Sequence, residues 1–429
     1  MLLSPAVALS VMRSPSIFPK RPMTVAILRE AVGADGLLLA EHPHHAPLRR
    51  ALAPLFHASR TALYTSAILP HARHLAKTWA SSSSVVDTVY TDVSRASMCI
   101  IGALALGTSG DDQALLWRYQ SFLERHATMS HAALIATFLA PSLAKYVPLR
   151  EIREARRLLA GIRSTVEEIA EKRARWLEDV DSGARRGRAD FLTEFLRAGQ
   201  GAEAGRALSR GVVDNALTFM AAGHATTSAA TCWAFFHIAT HPSVQRELVA
   251  ELSAAFPDGL EGEEKDEGED SLGACLDALP LLDATVRESL RLTPGINMTA
   301  RIATEDCEIC GVQIPEGTVV SIPMQAIQRT ASLWGSDCDE FHPQRWMEGW
   351  KQTKAPAEAW MPFLRGSRGC IGSRVALMEM KCLIAAVLLE GIFIEINPGC
   401  EPSAADVILV PKDMSFRITA QPFSDLGTY

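Results

Sequence analysis

One cysteine in this chain lies where a thiolate could be held. Phe363–Leu364–Arg365–Gly366–Ser367–Arg368–Gly369–Cys370–Ile371–Gly372 has the form F-x-x-G-x-R-x-C-x-G, directly before a helical stretch. On a glycine-rich turn, backbone N–H groups can point at the sulfur, and the following helix N-terminus adds partial positive charge. Both lower a thiol pKa. Arg368, two residues earlier, offers a fixed cation to an anionic partner. The competing reading is a structural cysteine buried in a tight turn. Glu288 and Arg291 are spaced i, i+3 and share a helix face, although most such pairs are solvated couples. His45 and Arg49 share a face at i, i+4. Pro47 between them fits only a first helical turn, so that helix is expected to begin near His44. In Ala222–Gly223–His224–Ala225–Thr226–Thr227, mid-helix threonine hydroxyls can bond back to i−4 carbonyls and open a groove.

Rival chemistry has thinner support. Cys307–Glu308–Ile309–Cys310 is a lone C-x-x-C without a second pair at zinc spacing, and reads as a chance pair in a hairpin. In His42–Pro43–His44–His45, the first and third positions read as solvated.

These groups need elements to hold them, and most of the chain reads as helix. Leu149–Val180 is long, charged and rich in Ala and Leu. A second helix is expected from Ser209 to Thr240, closed by Pro242, about 48 Å long at 1.5 Å per residue. Ser243 reads as the N-cap of a helix reaching Phe256. Leu281–Leu292 repeats apolar residues at helical spacing, and Val375–Leu389 is helical again. Residues 299–323 alternate around Gly311, Pro315 and Gly317, as short strands in hairpins do, and 407–419 reads as strand-like. The fold class is mainly α with a minor β part.

The cysteine segment resembles the haem-binding loop of the cytochrome P-450 family, the haem-thiolate monooxygenases. The resemblance implies that Cys370 ligates the iron of haem b (iron protoporphyrin IX). It implies Arg368, Arg301, His45 and Arg49 as contacts of the haem propionates, and Phe363 as part of the cofactor loop. Phe341–His342–Pro343–Gln344–Arg345–Trp346 resembles the family's F-x-P-x-R-W segment, which implies a buried triad of Glu288, Arg291 and Arg345. Residues 222–227 resemble the oxygen-activation stretch A-G-x-[D/E]-T-T. There Gly223 leaves room for dioxygen and Thr226 helps deliver protons. Ala225 departs from the pattern, standing where the family has a carboxylate. By the same resemblance Phe219, Met220, Ile296, Asn297, Met298 and Val410 line a substrate pocket, although each is also a plausible core residue. Wording at 218–233 and 362–372 is closest to fungal secondary-metabolism members. The implied fold is one large domain over residues 25–429. Residues 1–24 form a short N-terminal segment, and 258–270 an acidic surface loop. Only 48 residues precede Arg49, so the usual anchor and first sheet strands are expected to be missing.

Composition agrees with an enzyme of this kind. Of 429 residues, 48% are hydrophobic and 21% charged, an ordinary globular balance that excludes disordered and collagen-like classes. The net charge of −7 resides in Asp258–Asp270, leaving no basic surplus for nucleic acid. Nine scattered cysteines point to a reducing compartment rather than a disulfide framework. Met1–Met12 is too short and interrupted for a membrane anchor. Asn215–Gln245 lacks charge yet carries five threonines, which suits a buried helix better than a membrane span. The expected location is cytoplasmic or on the cytosolic face of the endoplasmic reticulum, with membrane contact left open. No G-x-G-x-x-G follows a strand, so electrons are expected from NADPH through a separate cytochrome P-450 reductase. The expected reaction inserts one oxygen atom into an apolar small molecule. Two alternatives remain: haem-thiolate rearrangement, dehydration or peroxide chemistry, and a non-catalytic haem-binding relative.

Overall fold

Proline and glycine set many of the boundaries that the residue spacing predicts. The computed structural model describes residues 4–82, 85–108, 113–127, 150–181, 190–197, 210–260, 272–347, 355–398, 400, 408–411 and 413–420. Most of the acidic block, the basic Arg185–Arg188 stretch and part of the tail lie outside them. The helices are α1 (Pro5–Arg13), α2 (Pro22–Val32), α3 (His45–Leu52), α4 (Thr61–Ala80), α5 (Val89–Leu106), α6 (Gln113–Ala127), α7 (Arg150–Asp181), α8 (Phe191–Arg197) and α9 (Arg210–Thr240). They continue with α10 (Pro242–Ala255), α11 (Leu272–Ala278), α12 (Pro280–Leu292), α13 (Met324–Gln328), α14 (Ala331–Trp334), α15 (Gln344–Met347) and α16 (Ser373–Leu389). The long helices expected at 149–180 and 209–240 match α7 and α9, and α3 starts at His45, next to the expected position. Ser243 does not cap α10. His241 takes the cap and Pro242 the first turn, where its fixed φ fits and its missing N–H costs nothing.

The chain divides into two units, Met1–Phe18 with Phe56–Ser97 and Ala225–Tyr429, and Pro19–Leu55 with Met98–His224. Helices α5 and α9 contribute to both.

In the first unit α4 and α16 pack along their lengths, with α10, α11 and α12 around α16. Strands β1 (Val85–Val86), β7 (Phe416–Ala420) and β6 (Ile392–Ile396) form an antiparallel sheet in the order β1-β7-β6. Two antiparallel pairs form separate sheets: β2 (Thr299–Ile302) with β5 (Val319–Ile322), and β3 (Cys307–Ile309) with β4 (Val312–Ile314). Cys307 and Cys310 therefore belong to a hairpin, with Cys310 exposed at its turn.

The N-terminal segment before residue 25 takes part in a hydrophobic core. Ala8, Val11, Met12 and Phe18 are buried in one cluster with Ala303, Val320, Ile322 and Met361, and the Thr304 N–H donates to the Ile17 carbonyl at 3.0 Å. An apolar segment too short for a membrane thus fills a core. Apolar burial of about 25 cal/mol per Å² holds it there.

Buried charge ties α16 to its neighbours. Lys381, 1% exposed, reaches Asp277 of α11 at 2.6 Å and Asp283 of α12 at 2.8 Å. Two residues nearer its start, Glu379 accepts a hydrogen bond from the Ser97 hydroxyl at 2.5 Å. Burial pushes the Glu379 carboxyl up to about 8 from 4.5. The folded chain thus holds a proton there that the unfolded chain releases above its lower pKa. This contribution to stability is complete below about pH 4.5 and is lost as pH rises through about 8. Glu379→Gln should flatten that decline. Parallel thermal-midpoint profiles for the two proteins between pH 5 and 9 would refute this assignment.

In the second unit α6 packs on α7 and α7 on α8. Buried Arg173 of α7 pairs with Asp190 and Thr193 and donates to the Leu106 carbonyl at 3.2 Å. Asp214 at the start of α9 pairs with Arg163 and accepts the Asp35 N–H at 2.9 Å, while Asn215 accepts the Leu37 N–H at 2.9 Å. These bonds hold the segment after α2 on α9. Among the described residues α5 is long and apolar enough to cross a membrane, with mean hydropathy 1.3, and 67% of it is buried. The uncharged 215–245 stretch falls in α9 and α10, where most of its residues are buried core.

Candidate active site

The cysteine loop is shaped by two residues in the left-handed region, Leu364 at φ 59° and Gly366 at φ 74°. Its turns close through the Gly369 N–H to the Gly366 carbonyl at 3.0 Å and the Cys370 N–H to the Phe363 carbonyl at 2.8 Å. One N–H expected to face the sulfur is thus used to close the loop. Arg365 donates to the carbonyls of Ala357 and Trp360, at 2.5 and 2.8 Å, bracing the preceding strand of chain. The Phe363 ring meets the Trp360 ring edge-on at 6.1 Å. Cys370 itself is exposed, three residues before α16 begins, so the reading as a buried structural cysteine is not supported. Arg368 lies half-buried on the tight turn Gly366–Arg368.

Gly366 is needed for two reasons. Its φ suits glycine, and an added Cβ would stand 2.7 Å from the Met12 carbonyl oxygen of α1. We expect Gly366→Ala to destabilise the protein by about 2–4 kcal/mol, combining backbone strain with overpacking. Gly369→Ala, with 3.3 Å to its nearest neighbour and a negative φ, should cost clearly less. Equal losses in chemical denaturation would contradict this account.

Behind the loop, Glu288, Arg291 and Arg345 come together. Glu288 and Arg291 are fully buried and bidentate, both bonds 2.8 Å. The remaining Arg291 donors reach the carbonyls of Gln328 (2.9 Å), Cys338 (2.6 Å) and Glu340 (3.0 Å). Glu288 also accepts from the His342 N–H (3.0 Å), the Trp346 indole (2.9 Å) and Arg345 Nε (3.4 Å). Asp337, which sequence reasoning missed, pairs with Arg345 at 2.6 Å. It balances two cations with two anions, and that hydrogen bond holds its carboxyl below the usual range. No motif marks Asp337, because its partner lies across a turn.

Arg301 on β2 is 6% exposed, and its Nη1 donates to Thr299 Oγ1 and the Ala300 carbonyl, both at 2.9 Å. In the second unit His45 is buried and Arg49 half-buried on one face of α3, whereas His42 and His44 are exposed. Among the described residues no group of three or more His, Cys, Asp or Glu could hold a metal ion. The donor set fits a haem: an exposed sulfur on a braced loop, with a buried guanidinium on β2 for an acidic side chain of the ring.

Helix α9 is buried along most of its length, but Ala222 is exposed and Gly223, Ala225 and Thr226 are half-buried. Ala222, the first residue of the 222–227 stretch, is four residues before Thr226 and so shares its face. The missing side chain of Gly223 accommodates Ile101, which a Cβ would meet at 2.8 Å, rather than leaving open space in that direction. His224 is buried, and burial lowers its pKa to about 4, so it stays neutral near pH 7. Met220 is 0% exposed. It offers no surface to a substrate, because its position turns into the core. Phe219 is nearly buried, edge-on to Phe191 at 5.8 Å. Ile296, Asn297 and Val410 are half-buried and Met298 is exposed. Ile296 bridges Ile408, the Leu409 N–H donates to the Gly295 carbonyl at 3.1 Å, and Gly295 lies against the Thr226 backbone. The 295–298 and 408–410 segments thus converge beside Thr226.

A family model described as cytochrome P450 matches residues 1–395, beginning earlier than the resemblance read from motifs. Cytochrome P450 monooxygenase sphH of Aspergillus fumigatus is 28% identical, over 96% of this chain and 76% of its own. Cytochrome P450 monooxygenase ptmK of Penicillium ochrochloron is 29% identical, over 90% and 76%. The crystal structure of the cytochrome P450DA heme domain superposes with a TM-score of 0.76 over 98% of this chain and 88% of that one, at 23% identity. That level of identity supports the fold alone. Motif, fold and family match agree: the chain belongs to the cytochrome P450 family and is an oxidoreductase of its monooxygenase class.

Proposed function

We propose that this protein inserts one atom of dioxygen into a C–H bond of an apolar small molecule during secondary-metabolite biosynthesis. The observation that carries the reading is Cys370, exposed at the end of a loop braced by its own backbone bonds and by Arg365. Cys370 would hold the iron of haem b, with Arg368 and Arg301 of the same unit as propionate contacts, and the family resemblance adds His45 and Arg49 to that role. Phe363 would pack in the same loop. When bound, the haem supplies the activation of dioxygen, and the thiolate favours cleavage of its O–O bond. The protein's share is ligation, orientation and control of water.

Thr226 would hand protons to the reacting oxygen from its half-exposed place on α9. With Ala225 beside it, the carboxylate that usually feeds this step is missing, and His224 is buried and neutral. Proton supply would then run through Thr226 and solvent. Ile296, Asn297, Met298 and Val410 would line a largely apolar pocket beside Thr226. That lining supports an apolar substrate. Electrons would come from NADPH through a separate P450 reductase, on the cytosolic face of the endoplasmic reticulum.

The test is turnover under labelled dioxygen with reductase and NADPH, using a fatty acid, a steroid and a diterpene alcohol as probes. One labelled atom per product is expected. Ala225 favours a second reading, rearrangement, dehydration or peroxide-dependent chemistry. Product without label would decide for it.

A further inference from the structure

A buried indole needs an acceptor for its N–H. Trp233 on α9 is 7% exposed and donates to the Leu409 carbonyl at 2.6 Å. Leu409 in turn donates to the Gly295 carbonyl at 3.1 Å, and the residues on either side of this link, Ile296 and Ile408, pair as a bridge. Gly295 returns to the same helix, where a Cβ would stand 2.7 Å from the Thr226 carbonyl oxygen. Seven residues separate Thr226 from Trp233, which is two turns, so both lie on one helix face.

We propose that Trp233 is a positioning residue that sets the width of the substrate pocket: its N–H fixes the 408–410 turn, and with it Ile296, against α9 beside Thr226. The inference rests on the monooxygenase reading above and adds a determinant that touches no reacting atom. The Trp233 ring also meets Phe236 edge-on at 5.4 Å. That contact packs the indole without involving its N–H, so it provides a control.

Purified holoprotein should be titrated with imidazole and with 4-phenylimidazole, following the iron absorbance. Imidazole reports the haem alone, whereas the phenyl ring reports the wall beside it. Trp233→Phe keeps an aromatic ring and removes the donor. The ratio of the two affinities should change by about fivefold, the worth of one such hydrogen bond, with imidazole affinity unchanged. Phe236→Leu should leave the ratio as it was. A change under about twofold in Trp233→Phe, in protein that keeps the thiolate-type carbon-monoxide band, overturns the inference alone. If Trp233→Phe yields no holoprotein, Val410→Phe decides. Added bulk at that turn should weaken phenylimidazole and spare imidazole, and an unchanged ratio overturns the inference. Absence of the band in the unmodified protein would instead overturn the haem-thiolate reading, and this inference with it.

Discussion

Cys370→Ser should remove the thiolate-type absorbance band of the reduced, carbon-monoxide-treated protein and lower turnover at least about a thousandfold, or about 4 kcal/mol in barrier. The substitution is nearly isosteric at an exposed position, so the fold should survive and stability should change by less than about 1 kcal/mol. What is lost is chemistry. A serine hydroxyl remains protonated and hard at neutral pH, whereas a sulfur near a helix N-terminus can be an anion that donates electrons to iron. A variant that kept the same band would show that another residue ligates the iron, and the assignment of this loop would fall.

Glu288→Gln has the second large effect, on stability rather than chemistry. Arg291 is fully buried and makes hydrogen bonds to three carbonyls and to both Glu288 oxygens. Without the carboxylate, that guanidinium becomes an uncompensated charge in a dry site, at a cost of about 3–5 kcal/mol. A typical margin is about 5–15 kcal/mol, so the variant should accumulate poorly and unfold at clearly lower urea. Asp337→Asn removes the outer anion, which is 40% exposed, and should cost about 1 kcal/mol or less. If the two variants unfolded at the same denaturant concentration, the order of burial assigned to this cluster would be wrong. Replacing Glu288 and Arg291 together by apolar residues should not restore stability, since the carbonyls of Gln328, Cys338 and Glu340 would lose their donor.

Local order in the chain made the cofactor loop, the long helices and the paired residues of α12 legible. A glycine-rich turn before a helix, an i, i+3 pair and a proline after a charge-free run are all set by neighbours in sequence, and backbone sterics act at that range. The likeness of several such motifs in order was enough to identify the family. Tertiary structure decided what depends on residues far apart. Asp337 joins the ionic cluster because a turn returns it to Arg345, and Trp233 matters because Leu409 offers it a carbonyl. Met220 and Ala222 differ by two positions, yet one is sealed and the other exposed, because two residues turn a helix by about 200°. The apolar N-terminal segment reads as an unattached piece until β3, β5 and the Gly366 turn are placed against it. Hydrophobic burial has no direction of its own, so composition can announce a core residue, but only the folded chain chooses which neighbours it meets.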